Sequence, residues 1–219
     1  MTRLLDFGID RIRNIIMDMA TLSEKSVRTA IVSYEKGISA RNQVFGWSEQ
    51  LRMLQEEVSD LAIELLARYQ PVASDLRFIR SCMEISYGFS RYGRYAFDIV
   101  EVLDTIGPVP DCDKTAVLEA SKTVTEMISM SVRALQSKDK DAAKTLYQMD
   151  DSVDSAYRNY FKKVISTSDQ NAKSNSVSNP KCYTSALLIL RYLERISDHA
   201  CYIADSVHYI VTGESSPRR

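Results

Sequence analysis

The sequence predicts an all-α protein, a tandem repeat of two three-helix bundles made from six long antiparallel helices. Three observations carry that prediction: scarce turn residues, apolar positions spaced by alternating fours and threes, and a self-similarity near half the chain length. The 219 residues include only 7 Gly and 5 Pro, which argues against a turn-rich β fold and against disorder. At 45% hydrophobic content the chain can bury one large core or two small ones.

The helices follow from the punctuation. Pro71, Pro108, Pro110, Pro180 and Pro217 leave residues 1–70, 72–107, 111–179 and 181–216 free of the strongest helix breaker. The first helix is expected over about 4–36, ending before Gly37, and the second over about 40–69. Pro71 reads as a first-turn proline opening the third, about 71–105. Gly107-Pro108-Val109-Pro110 cannot continue a helix and divides the chain near its midpoint. The fourth helix is expected over about 113–136, closed by the turn at 137–139, where Asp139 or Asp141 can cap the fifth, about 140–165. The Ser-rich stretch 166–178 ends the fifth, and the sixth runs over about 180–211. Short connections favour antiparallel neighbours.

The repeat shows in the packing seams. Ile85, Phe89, Tyr92, Ala96, Ile99 and Leu103 fall onto Ile189, Leu193, Ile196, Ala200, Ile203 and Val207 under one shift of 104 residues. Ser26-Val27-Arg28 returns as Ser131-Val132-Arg133, and Arg91 matches Arg195 beside the seam. Any two amphipathic helices can be aligned by their heptads, but the matching arginines and the central break favour duplication. The expected domains are 1–106 and 111–212, followed by a tail over 213–219.

Charge and cysteine usage exclude several classes. Lys and Arg number 28 against 29 Asp and Glu, a net charge of −1, so there is no basic excess for nucleic-acid or anionic-membrane binding. Charges interrupt every apolar run, and the N-terminus lacks a signal-peptide core, so a soluble cytoplasmic chain without a membrane span is expected. Cys82, Cys112, Cys182 and Cys201 form no CxxC pair, which suits reduced thiols.

Catalytic motifs are missing from the sequence: it has no phosphate-cradling glycine loop, GxSxG elbow or HExxH, and only two histidines, His199 and His208. What stands out is a set of acids four residues apart: Asp150 and Asp154 on the fifth helix, Glu194 and Asp198 on the sixth. That spacing puts each pair on one helix face, one position past the seam residues Val153 and Leu193. Spacing alone leaves two readings, a solvated acidic face (the commoner case) or four carboxylates converging on a hard cation such as Mg²⁺, Mn²⁺, Ca²⁺ or iron. Asp205 and His208 form an i, i+3 pair that could add a ligand, while Cys201 reads as a buried inert thiol and His199 points away from the acids.

The segment QPVASDLRFI at 70–79, with ISYGFSRYGRYAFDI after it and LRYLERISDHACYIAD at 190–205, resembles the signature regions of the PhoU family of phosphate-uptake regulators. The resemblance implies two similar three-helix bundles carrying a repeated acidic motif that binds metal ions or clusters. Carried over residue by residue, it points to Asp150, Asp154, Glu194 and Asp198 as metal ligands for iron, zinc, manganese or magnesium. The first repeat departs from the pattern: Ser48, Arg52, Ser90 and Arg94 stand where the second has its four acids. Guanidinium groups repel cations, so metal is expected in the second bundle only, with Arg52, Arg91 and Arg94 pairing with Glu49, Glu56 or Asp98.

The function implied is a non-enzymatic adaptor, a homodimer that negatively regulates phosphate uptake. Its partners would be a phosphate ABC transporter ATPase or another phosphate transporter, and a sensor histidine kinase where one is coupled to it. No nucleic acid is expected, and membrane contact would come only through a partner. Two other classes stay open: a ferritin-like carboxylate metalloenzyme, which would bury inward-facing ligands including His208, and a metal-free helical interaction module.

Overall fold

Among the described residues the chain forms six helices, α1 (Leu4–Lys36), α2 (Arg41–Tyr69), α3 (Ala73–Ile106), α4 (Thr115–Ser137), α5 (Ala142–Ser174) and α6 (Pro180–Thr212), and no strand. The computed structural model describes residues 4–107, 109–174 and 179–216, and within 167–174 the backbone alone. The helix ends have local causes. Lys138 and Gly213 take left-handed values after α4 and α6, and their N–H groups close the last turns on Ala134 O and Tyr209 O. Asn179 caps α6 by accepting from Lys181 N, and Pro180 fills the first helical position. Asp113 accepts from Thr115 N before α4, and Asp139 accepts from Asp141 N before α5.

Two boundaries differ from expectation. Pro71 precedes α3 rather than opening it: Val72 is extended, and Gln70 and Ala73 both take positive φ, at 46° and 50°. The reversal between α2 and α3 uses those residues, so helical geometry starts only beyond the proline. α5 also runs past the expected stop near 165 to Ser174. Ser166 returns its hydroxyl to Lys163 O, which keeps serine compatible with the helix. Residues 175–178 of the Ser-rich stretch lie outside the described residues, as does the end of the tail.

α1, α2 and α3 pack on one another, and α4, α5 and α6 repeat the arrangement. The halves join most extensively through α3 and α6, with a smaller contact between α1 and α4, so one continuous core runs through both. α3 and α6 run antiparallel: Arg77 lies beside Gly213, Arg80 over Tyr209, Gly88 against Ile203, and Tyr95 against Tyr192. The seam residues predicted from sequence are core apart from Leu103, which is partly buried and packs against it. Phe89, Tyr92, Ile99, Leu193 and Ile196 are fully buried, and Ile189 and Ile203 nearly so.

The expectation of four reduced thiols is corrected. Cys112, in the linker between the halves, and Cys182, in the first turn of α6, form a disulfide across 70 residues, while Cys82 and Cys201 are buried and outside any disulfide. A spacing rule cannot find such a pair, because only the packing of α6 against the linker brings the two ends together. Among the described residues no helix is long and apolar enough to cross a membrane.

Candidate functional site

The four predicted acids sit on the facing sides of α5 and α6, which pack directly together. Val153 and Leu193 anchor the two helices in the core, and each acid pair emerges beside them. Asp150 is buried; the side chains of Asp154 and Glu194 are 15% and 13% exposed, that of Asp198 30%. The charges feel one another across the helix pair. Burial, and then the charges of Asp150 and Asp154, push the Asp198 carboxyl above its usual range. Glu194 is also raised, first by burial and then by Asp198 and Asp154, with Arg191 and Arg195 opposing. Like charges sharing a half-buried face are held there at a cost that a cation would relieve.

In this structure arginines supply the compensation. Arg158 pairs with Asp154, Arg191 with Glu194 at 2.5 Å, and Arg195 with Asp198 at 3.7 Å. Arg191 also lies over the Tyr157 ring, which fixes its fork beside Glu194. Glu194 Oε2 is buried without a hydrogen bond, with Arg195 Nε 3.8 Å away. Among the described residues no three His, Cys, Asp or Glu side chains close on one point that would hold a metal. The donor set, four carboxylates that include the unbonded Glu194 Oε2, fits a hard cation in its chemistry. Any such ion would compete with Arg158 and Arg195 for the same oxygens.

The extra ligand candidates are engaged elsewhere. Tyr147 donates to Asp205, 2.7 Å from each carboxylate oxygen, and His208 Nδ1 meets Lys140 O at 2.9 Å. Cys201 is buried, as expected of a packing thiol.

On the first repeat, Ser48 is buried and the arginines pair locally. Arg52 bridges Glu49 at 3.3 Å and Glu56 at 2.6 Å, and Arg94 meets Asp98 at 3.0 Å. Arg91 behaves differently: it donates to Tyr95 OH at 2.7 Å and covers the Tyr95 and Tyr87 rings, its Nε buried without a partner. Between the two repeats runs an aromatic seam. Tyr95 stacks on Tyr192, and His199 contacts Tyr87, Tyr95 and Tyr202. Burial and the charges of Arg91 and Arg195 push His199 down to about 4, so it is neutral near pH 7. Arg158 and Arg191 were missed; a basic residue four after Asp154 and three before Glu194 was the available signal.

Comparison with known proteins places this geometry in context. A family model described as "PhoU domain" matches twice, over residues 16–103 and 117–207. A Synechocystis protein named phosphate-specific transport system accessory protein PhoU homolog is 28% identical, covering 94% of this chain and 91% of its own length. A Clostridium acetobutylicum protein of the same name is 27% identical, covering 98% and 97%. The crystal structure of PhoU from Pseudomonas aeruginosa superposes with a TM-score of 0.77 at 26% identity, covering 95% of this chain and 99% of that one. The phosphate transport system regulatory protein PhoU from Streptococcus pneumoniae shares the fold, with a TM-score of 0.85 at 19% identity over 98% and 100% of the two chains.

Proposed function

The chain belongs to the PhoU family, and from that premise we propose that it is a non-enzymatic adaptor that negatively regulates phosphate uptake. Its relatives are named accessory proteins of the phosphate-specific transport system. The partner is accordingly a phosphate transporter, through its ATPase subunit where the transporter is an ABC system, or a sensor histidine kinase coupled to it. The observation that carries the reading is the family match in both halves of one duplicated helical scaffold. That scaffold offers long helix faces to a partner's segments.

On this reading Asp150, Asp154, Glu194 and Asp198 hold a divalent or trivalent ion on the second repeat, and Arg52 and Arg94 keep the equivalent place on the first repeat free of cations. The ion supplies positive charge to an acidic face and nothing more. The residues do the rest: Arg158, Arg191 and Arg195 neutralise the carboxylates when no ion is held, and Val153 and Leu193 keep the two helices in register. Exchange between arginine and metal changes the charge that the α5–α6 face shows a partner, and the protein acts as a cytoplasmic homodimer. The metalloenzyme alternative has less support, because Asp205 and His208 are already engaged by Tyr147 and Lys140.

The decisive experiment is co-purification of the tagged chain with transporter ATPase subunits from phosphate-replete cells, with phosphate uptake measured in a strain lacking the chain. Retained ATPase and raised uptake support the reading. No captured transporter subunit together with unchanged uptake overturns it. Metal content of the purified chain, against Asp154→Ala/Asp198→Ala, separates the metal-bearing adaptor from the metal-free module: equal metal in both sinks the site.

A further inference from the structure

We propose that Cys112 and Cys182 are a thiol–disulfide exchange site for low-molecular-weight thiols and disulfides, and that its closure clamps the linker between the repeats onto the start of α6. The two residues lie 70 positions apart, yet their Cα atoms are 5.3 Å apart and their sulfurs are bonded. Both are partly exposed, so a small reagent can reach them. The remaining thiols are sealed in the core, where burial pushes Cys82 up to about 12 and Cys201 is 3% exposed. The chain therefore sorts its four cysteine sulfurs into a reachable pair and an inert pair.

The pair is placed to couple three parts of the fold. Val109 of the linker is buried, Lys114 Nζ donates to Glu35 O at 2.8 Å at the end of α1, and Asp113 caps α4. The disulfide adds α6 to this joint, the helix that carries Glu194 and Asp198 further along. Cys182 occupies the third helical position, next to Lys181, and its N–H closes on Asn179 O. We assign the first attack to Cys182, which sits in the first turn of α6.

The chemistry balances with one small disulfide as oxidant. The Cys182 thiolate attacks it, its sulfur–sulfur bond breaks, and one small thiol leaves. Cys112 then attacks the mixed disulfide and expels the second small thiol. The protein pair gives up two protons and two electrons, and the small disulfide is reduced to two thiols. An excess of small thiol runs the same steps backwards and opens the clamp.

The test uses the full chain, equilibrated in glutathione buffers of graded potential, quenched and labelled with a maleimide, with labels located by mass spectrometry. In parallel, an Asp-specific endoproteinase probes the linker at Asp111 and Asp113. The expected result is a single two-electron transition that adds labels at Cys112 and Cys182 together, leaving Cys82 and Cys201 unlabelled until denaturation. Across that transition linker cleavage should speed up by about tenfold or more. Cys112→Ser/Cys182→Ser should be cleaved at the fast rate at every potential. Three outcomes overturn the proposal: thiols that label at every potential, a bond that stays closed throughout the glutathione range, or cleavage indifferent to the state of the bond. Because neither metal nor transporter enters the assay, its failure leaves the proposed function untouched.

Discussion

Tyr95 and His199 are repeat mates that touch. They occupy the same position 104 residues apart, and their rings lie 6.0 Å apart where α3 and α6 cross. Glu24 and Ser129, mates under the shift of 105 found in α1 and α4, also meet, with the serine hydroxyl 3.4 Å from the carboxylate. Contacts between counterpart residues are what a self-complementary pairing of two like units produces. The two halves of this chain meet at such positions in both the α3–α6 and the α1–α4 contacts. Losing either ring should weaken the α3–α6 joint. In a double-mutant cycle of Tyr95→Leu and His199→Leu, a coupling of about 0.5–1.5 kcal/mol is expected from urea unfolding. Additive effects would place the association energy elsewhere.

His199 also predicts a pH dependence. Its folded value, about 4, lies below the usual 6.5. As pH falls through 6.5, the unfolded chain takes up a proton that the folded chain refuses, so stability is lost between pH 6.5 and about 4. The loss attributable to this one group is at most about 3 kcal/mol. Unfolding free energies from pH 7.5 to 4 should fall less steeply for His199→Gln than for the native chain. Parallel curves would show that the imidazole is freely protonated.

Asp198 has the opposite sign. Its carboxyl is raised by burial and by Asp150 and Asp154, so its ionised form is a penalty that is full above its folded value and fades as pH falls from there to the usual 3.8. Asp198→Asn should stabilise the metal-free chain at pH 7 by about 0.5–1 kcal/mol, despite losing the 3.7 Å contact with Arg195. The advantage should vanish near pH 4. A loss of stability at pH 7 would mean that the arginines more than compensate the repulsion.

Gly93 lets α2 approach α3 closely. A Cβ there would come within 2.4 Å of Leu51 Cδ1 and 3.4 Å of Ser48 Cα, and Leu51 is fully buried. Gly93→Ala should cost about 1–3 kcal/mol through overpacking. Gly46, in α2 with nothing within 4 Å, is the control: Gly46→Ala should gain about 0.5–1 kcal/mol from reduced chain entropy. Thermal melts of the two variants should move in opposite directions.

The 112–182 disulfide closes a loop of 70 residues. Chain entropy then makes it worth about 4 kcal/mol, so reduction should lower the melting temperature by about 10 °C. Calorimetry with and without reductant measures this, and Cys112→Ser/Cys182→Ser should match the reduced chain.

Much of this protein was legible before folding. Helix periodicity depends on neighbours three and four residues away, so Ile85 to Leu103 and Ile189 to Val207 announced their seams, and the acids beside Val153 and Leu193 announced their shared face. Charge identity was legible too: Arg52 and Arg94 in place of acids meant local pairing with Glu49, Glu56 and Asp98, which is how they pair. Two local readings failed at ends, where Val72 and Ala73 delayed α3 and Ser166 did not stop α5.

What the linear chain determined by itself was the set of helices and their buried stripes, written in short-range spacing, and the duplication, written as one shift of about half the chain. Tertiary packing alone decided that Cys112 meets Cys182, that Tyr95 meets His199, and that Asp150 and Asp154 of α5 act on the Asp198 charge of α6. Those are contacts between helices distant in sequence. They are settled by how bulky stripes interlock and where side chains come to rest, and no periodicity within one helix encodes the position of another.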